Sequence, residues 1–143
     1  MEGIERTMTI QSADEFVELR TSTVHAIYAR AANDAAAVEV WFDIIHRYPD
    51  MRFWVAQNKT VPMEVLGELL HDEDPRVRSM VARKRKLTPD MLADLARDAD
   101  QAVRLTVARH QHVSEDTLRT MLNDEWEEVR LVAHHRLDLS KTP

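Results

Sequence analysis

The feature that most constrains this chain is a repeat: Asp74-Pro75-Arg76-Val77-Arg78-Ser79-Met80-Val81-Ala82-Arg83 returns as Asp100-Gln101-Ala102-Val103-Arg104-Leu105-Thr106-Val107-Ala108-Arg109, a shift of 26 residues. The same shift carries Val77 and Arg78 to Val103 and Arg104, on to Val129 and Arg130, and back to Met51 and Arg52. Leu66, Leu92 and Leu118 keep that register without insertion, as do Leu69, Leu95 and Met121, and Asp72, Asp98 and Asp124. A fixed period of this size means stacked supersecondary units, none of which buries its apolar face alone. Composition enters to say what the units are made of. Two glycines in 143 residues, with four of the five prolines where a helix could begin, point to helices joined by tight turns and give strands no support.

Each regular unit is expected to hold two helices. The first set spans about residues 49–58, 75–84, 101–110 and 127–136, with a stripe at positions equivalent to Val77, Met80 and Val81. Their i, i+3, i+4 spacing faces a neighbouring helix, and Trp54, Met80, Thr106 and Val132 are expected to share one core position. The second set, about residues 62–71, 88–98 and 114–123, buries Leu66/Leu69/Leu70, Leu92/Leu95/Ala96 and Leu118/Met121/Leu122. Thr88-Pro89-Asp90 and Ser114-Glu115-Asp116 supply start signals: a capping hydroxyl, then residues suited to the positive helix end. Upstream, residues 1–11 read as a loose arm. Ser12-Ala13-Asp14-Glu15 reads as a capping box opening a helix with Phe16, Val17 and Leu19 on its apolar face. Residues 23–32 (Val24, Ile27, Tyr28, Ala31) and 36–47 (Val40, Trp41, Ile44, Ile45) read as the two helices of a degenerate first repeat, as a solvent-facing terminal unit allows. The expected organisation is one domain over residues 1–143: arm and capping helix over 1–22, degenerate repeat over 23–48, regular repeats over 49–136 and a tail over 137–143.

Val81-Ala82-Arg83, then Thr88-Pro89 with Met91-Leu92, Leu95-Ala96 and Asp98, then Val103-Arg104, resembles the variant leucine-rich repeat, a relative of HEAT-type helical repeats. The resemblance covers about residues 49–136. It implies an all-α, right-handed α-solenoid of short stacked helix pairs, which in those families mostly serves as a binding surface. The period of 26 is slightly longer than expected of the variant leucine-rich repeat. The cysteine cluster that precedes the repeats in an iron–sulfur member of that family has no counterpart here, so no such cofactor is expected.

Several function classes lose their footing in the composition. With no cysteine there is no disulfide, thiolate metal site or thiol nucleophile. A net charge of −6 has the wrong sign for affinity resting on counterion release from phosphates. A nucleic-acid-binding protein, or a HEAT-like DNA glycosylase, is therefore the alternative and not the leading reading. No run is apolar enough to span a bilayer and the first residues lack a signal-peptide core, so the expected location is cytoplasmic, without a membrane. Seven histidines include His110, His112, His134 and His135, which repeat arithmetic brings nearest one another. No HExxH and no carboxylate on a shared helix face accompany them, so no metal site is expected. No catalytic set is present either, and the chain reads as a non-enzyme.

What remains is surface. The recurrent Asp72/Arg78, Asp98/Arg104 and Asp124/Arg130 pairs read as a structural ladder tying one helix end to the next. Turns before the first-set helices are acidic, while turns after them are basic: Arg83-Lys84-Arg85-Lys86, Arg109-His110-Gln111-His112 and His134-His135-Arg136. Macrodipole complementarity accounts for much of this, yet four consecutive cations exceed what one helix end needs, and a partner-binding reading stands beside it. Gln57, Arg83, Arg109 and His135 form an outward column flanked by Phe53, Leu105 and Leu131, whereas Glu64, Glu68, Asp90, Asp94, Glu115 and Asp116 make the opposite face acidic. The candidate partner-binding residues are thus Phe53, Gln57, Lys59, Arg83, Lys84, Arg85, Lys86, Arg109, His110, His112, His135 and Arg136. The expected partner is a protein, acidic in character, bound by a monomer or weak homo-oligomer. Trp126 replaces the Asp74/Asp100 position in its turn and reads either as an exposed anchor or as packing over the last unit.

Overall fold

A computed structural model describes residues 9–140, and the chain is mostly helical. Its contacts gather into two compact units that divide between Leu69 and Leu70.

The first unit opens with β1 (Thr9–Ile10), followed by α1 (Ala13–Thr21), α2 (His25–Tyr28), α3 (Arg30–Asn33), β2 (Ala35–Ala36), α4 (Val38–Arg47), a 3-10 turn at Pro49–Met51, α5 (Arg52–Gln57) and α6 (Met63–Leu69). Ser12 caps α1 by accepting from the Glu15 N–H at 3.0 Å, and the Glu15 carboxylate accepts in turn from the Gln11 N–H at 2.6 Å. The core is built on Trp41, Phe16, Ile44 and Ile45, all buried, with the Phe16 and Trp41 rings edge-to-face at 5.7 Å. The Trp41 indole N–H has no acceptor among the described residues.

Two expectations for this unit are corrected. Thr9 and Ile10 pair in parallel with Ala35 and Ala36, and Ile10 is buried, so the end of the supposed loose arm is a strand inserted into the core. This pairing is made by backbone groups, which side-chain periodicity does not report. Residues 1–8 of the arm lie outside the described residues. The helix expected over 23–32 is instead two single turns, α2 and α3, and Val24, Ile27 and Tyr28 are exposed while only Ala31 of that set is buried. Arg20 lies 3.4 Å from the ring centre of Trp54, which is half-buried and so only flanks the core.

The second unit is regular. It contains α7 (Pro75–Ala82), α8 (Pro89–Leu95), α9 (Gln101–Arg109), α10 (Glu115–Met121) and α11 (Glu127–Ser140). Helix α9 packs against both α7 and α11, and α10 packs on α11. Asp74, Thr88, Asp100 and Ser114 cap α7, α8, α9 and α10 by accepting backbone N–H groups within the first turn. Fully buried side chains fall at Val81, Val107 and Ala133, one period apart, with Val77, Val103 and Val129 beneath them. The Met80, Thr106 and Val132 column is half-buried and not core, and Thr106 returns its hydroxyl to the Ala102 carbonyl. Leu87 and Val113 fill a core position that the sequence reading passed over, and Val61 occupies the equivalent position in the first unit. They sit in the turn, outside either helical stripe.

Candidate functional site

In the second unit the turns before α7, α9 and α11 repeat one hydrogen-bond pattern. Asp72, Asp98 and Asp124 each accept the N–H two residues on, at 3.0, 2.9 and 2.8 Å, which bends the chain into the following helix. Arg78 then forks onto the Asp98 carboxylate at 2.7 and 3.0 Å and donates its third nitrogen to the Asp72 carbonyl at 2.7 Å. Arg104 does the same one unit later, to the Asp124 carboxylate at 2.7 and 3.1 Å and to the Asp98 carbonyl at 2.9 Å.

The ladder is therefore present, but its carboxylate partners are corrected. Arg78 and Arg104 each take the carboxylate of the following turn and only backbone carbonyls of the preceding one, and Arg130 likewise donates to the Asp124 carbonyl at 2.6 Å. The pairs are nearly enclosed: the Arg104 and Asp124 side chains are 9% and 7% exposed. Burial pushes the Asp124 carboxyl up, but the Arg104 fork and the Trp126 N–H outweigh it and hold the group below its ordinary value. The carboxylate hydrogen bond raises the Arg104 guanidinium in turn, against its own desolvation. Trp126 itself is half-buried.

The opposite turns carry a second set of links. His110 is buried, donates from Nε2 to the Lys84 carbonyl at 2.7 Å, and accepts at Nδ1 from the His112 N–H at 3.0 Å. A carbonyl can only accept and a backbone N–H can only donate, so the ring is the neutral tautomer protonated at Nε2. One period on, Arg136 donates to the Ala108 and His110 carbonyls at 2.8 and 2.6 Å. In the first unit, Asn58 at the equivalent position donates to the Ala31 and Asp34 carbonyls at 2.8 and 2.9 Å. Asn58, His110 and Arg136 share the ability to donate, while their shapes differ.

This alters the expected basic rim. His110 and Arg136 hold one turn to the previous one. Lys84 is half-buried, and burial, reinforced by repulsion from Lys86, lowers its ammonium to about 8. Arg83, Arg85, Lys86, Arg109, His112 and His135 remain exposed, as do Gln57 and Lys59 in the first unit, where Phe53 is half-buried against Trp54. Leu105, expected to flank the outward column, is buried, whereas Leu131 is 60% exposed. Of the acidic residues, Glu64 and Glu68 are exposed in the first unit, and Asp90, Asp94, Glu115 and Asp116 are exposed in the second.

Among the described residues the side chains of four arginines make no hydrogen bond, ion pair or ring contact: Arg83, Arg85, Arg97 and Arg109. Three of them line one open groove of about 550 Å³ between α7 and α9, together with Ser79 and Thr106. Arg109 also borders a second groove of about 410 Å³, lined on the α11 side by Leu131, Val132, His135 and Glu128.

Such an arrangement can hold anions through planar guanidinium forks. No three histidines or carboxylates gather at metal-binding distance among the described residues, and none of the described helices is long and apolar enough to cross a membrane. Compared with protein-family models, curated proteins and solved structures, the chain finds no match.

Proposed function

We propose that the chain is a non-enzymatic helical-repeat module, a right-handed α-solenoid of the kind its sequence resembles, that binds an acidic protein partner through the outward face of α7, α9 and α11. A cytoplasmic location belongs to the same reading. One observation carries it: on a chain of net charge −6, three arginines whose side chains have no partner among the described residues line a single groove. The helix dipole gives a cation at the end of α9 a small stabilisation, but it does not account for three such arginines gathered on one groove. A cationic strip of this kind steers an acidic partner to it and accelerates association at low salt.

The test is to capture the partner from native lysate and to measure association rates with wild type and with Arg83, Arg85 and Arg109 replaced by Glu. The rate should fall by about tenfold or more at low ionic strength, with the difference shrinking as screening shortens toward about 3 Å at 1 M salt. Equal rates at low salt would assign these arginines to solubility and move the binding site to the acidic face of α8 and α10.

A further inference from the structure

The two grooves are one strip. Arg109, at the end of α9, lines both the arginine groove beside α7 and the apolar groove beside α11. Along the strip the surface changes from Arg83, Arg85 and Arg109 to Leu131 and Val132, and Glu128 also borders the apolar part. Leu131 is the most exposed large apolar side chain among the described residues, and it shares its groove with Arg109, whose side chain has no partner among them.

We propose that this strip takes a linear peptide segment of the partner in which a run of carboxylate side chains is followed by apolar ones. The assignment rests on the partner-binding reading above and sharpens it to a sequence chemistry. Charge complementarity selects the anionic half. Its form follows from spacing: Arg83 directly follows α7 and Arg109, one period on, ends α9, and neighbouring helices pack about 8–10 Å apart. Cations spread over that distance suit alternate carboxylates of an extended acidic run, which face the same side about 6.6 Å apart, whereas a single phosphate would engage one point of the strip. The apolar half follows from Leu131 and Val132, which gain burial only if the ligand brings apolar surface to α11. Glu128 repels an anionic group there and so fixes the orientation, with acids toward α7 and apolar residues toward α11.

Four synthetic fluorescent peptides test it against the full chain by anisotropy: a glutamate triplet followed by two leucines, the same peptide with glutamines, the same with serines replacing the leucines, and one with a single phosphoserine replacing the triplet. The Glu–Leu peptide should bind, and the glutamine version should lose about tenfold or more in affinity, the scale of a lost charge-assisted pair. Arg85→Glu and Arg109→Glu should each reproduce that loss. Leu131→Ser should remove the advantage of leucine over serine while leaving the glutamate preference intact. Arg97→Glu, an equally exposed and unpaired arginine outside the strip, should change nothing. The proposal is overturned if the glutamate and glutamine peptides bind alike, if Arg97→Glu is as damaging as Arg109→Glu, or if the phosphoserine peptide binds tighter than the triplet. If the peptides fail while capture of the intact partner still depends on Arg83, Arg85 and Arg109, the linear-segment assignment is wrong and the partner-binding reading survives.

Discussion

Arg104 and Arg109 lie on the same helix, α9, five residues apart, and have opposite fates. Arg104 is 8% exposed and makes hydrogen bonds to a carboxylate and to backbone carbonyls, while Arg109 is exposed and makes none among the described residues. The difference separates charge that holds the fold from charge that the fold leaves available. A guanidinium desolvated at a turn must be paired or its burial is heavily penalised. One at a solvent-facing helix end needs no partner, and gains a little from the negative end of the helix dipole. The same residue type on one helix is thus tied into the scaffold at Arg104 and left exposed to solvent at Arg109.

The harshest way to break the comparison is to remove the helix that carries both arginines. Val103 is fully buried in α9, so Val103→Asp should place an unpaired charge in the core and cost about 4 kcal/mol or more, a large fraction of a domain's stability. Circular dichroism melting should show the loss; a variant that melts like wild type would mean the buried face of α9 is misassigned.

Arg104→Ala comes next. It strands the Asp124 carboxylate, 7% exposed, and should destabilise by about 3 kcal/mol in urea titration. In the Arg104→Ala background, Asp124→Asn should recover a large part of this loss, since the amide no longer carries an isolated buried charge.

Acid should erode the same contact. Asp124 is held below its ordinary carboxyl value, so its stabilisation is complete above the unfolded pKa, about 3.9, and is lost as pH falls through the lower folded value. The stability gap between wild type and Arg104→Ala should therefore close in that window, and a gap that persists there would place the effect of Arg104 elsewhere.

A smaller effect is expected at the opposite edge. Lys84 has an ordinary value of 10.5 lowered to about 8. Below about 8 the folded chain carries a charge that burial disfavours. Between about 8 and 10.5 the unfolded chain binds the proton and the folded one releases it, so this group makes stability rise with pH. Lys84→Met should flatten that rise.

The 26-residue period made much of the second unit legible: the existence of its helices, the Thr88 and Ser114 caps, the buried valines and an Asp/Arg ladder follow from sequence, whereas α11 runs on to Ser140 where a tail was expected from residue 137, and the Asp74 and Asp100 caps were not read. The same period hid the ladder's connectivity. Asp72 stands 6 residues before Arg78 and Asp98 stands 20 after it, and because 6 and 20 sum to one period both kinds of partner recur for Arg104, in Asp98 and Asp124. Only the course of the chain decides which carboxylate the fork meets. The His110 and Arg136 links were unreadable for another reason, since what recurs there is a donor reaching a carbonyl and not a residue type. In the first unit, the pairing of Ile10 with Ala36 is backbone chemistry inside an alanine-rich stretch with no side-chain pattern to expose it. For the candidate site, the sequence placed Arg83, Arg85 and Arg109 together on one edge, but which basic residues were already engaged required the hydrogen-bond partners.

The central claim is that scaffold and surface charge are separable on α9, and one paired measurement addresses it directly. Urea stability and affinity for the Glu–Leu peptide should be determined for Arg104→Ala and Arg109→Ala side by side. Arg109→Ala should leave stability within about 0.5 kcal/mol of wild type while weakening peptide binding about tenfold; Arg104→Ala should lose about 3 kcal/mol of stability, with peptide affinity unchanged where the protein remains folded. Equal stability losses, or an affinity that falls with Arg104 and not with Arg109, would contradict the separation.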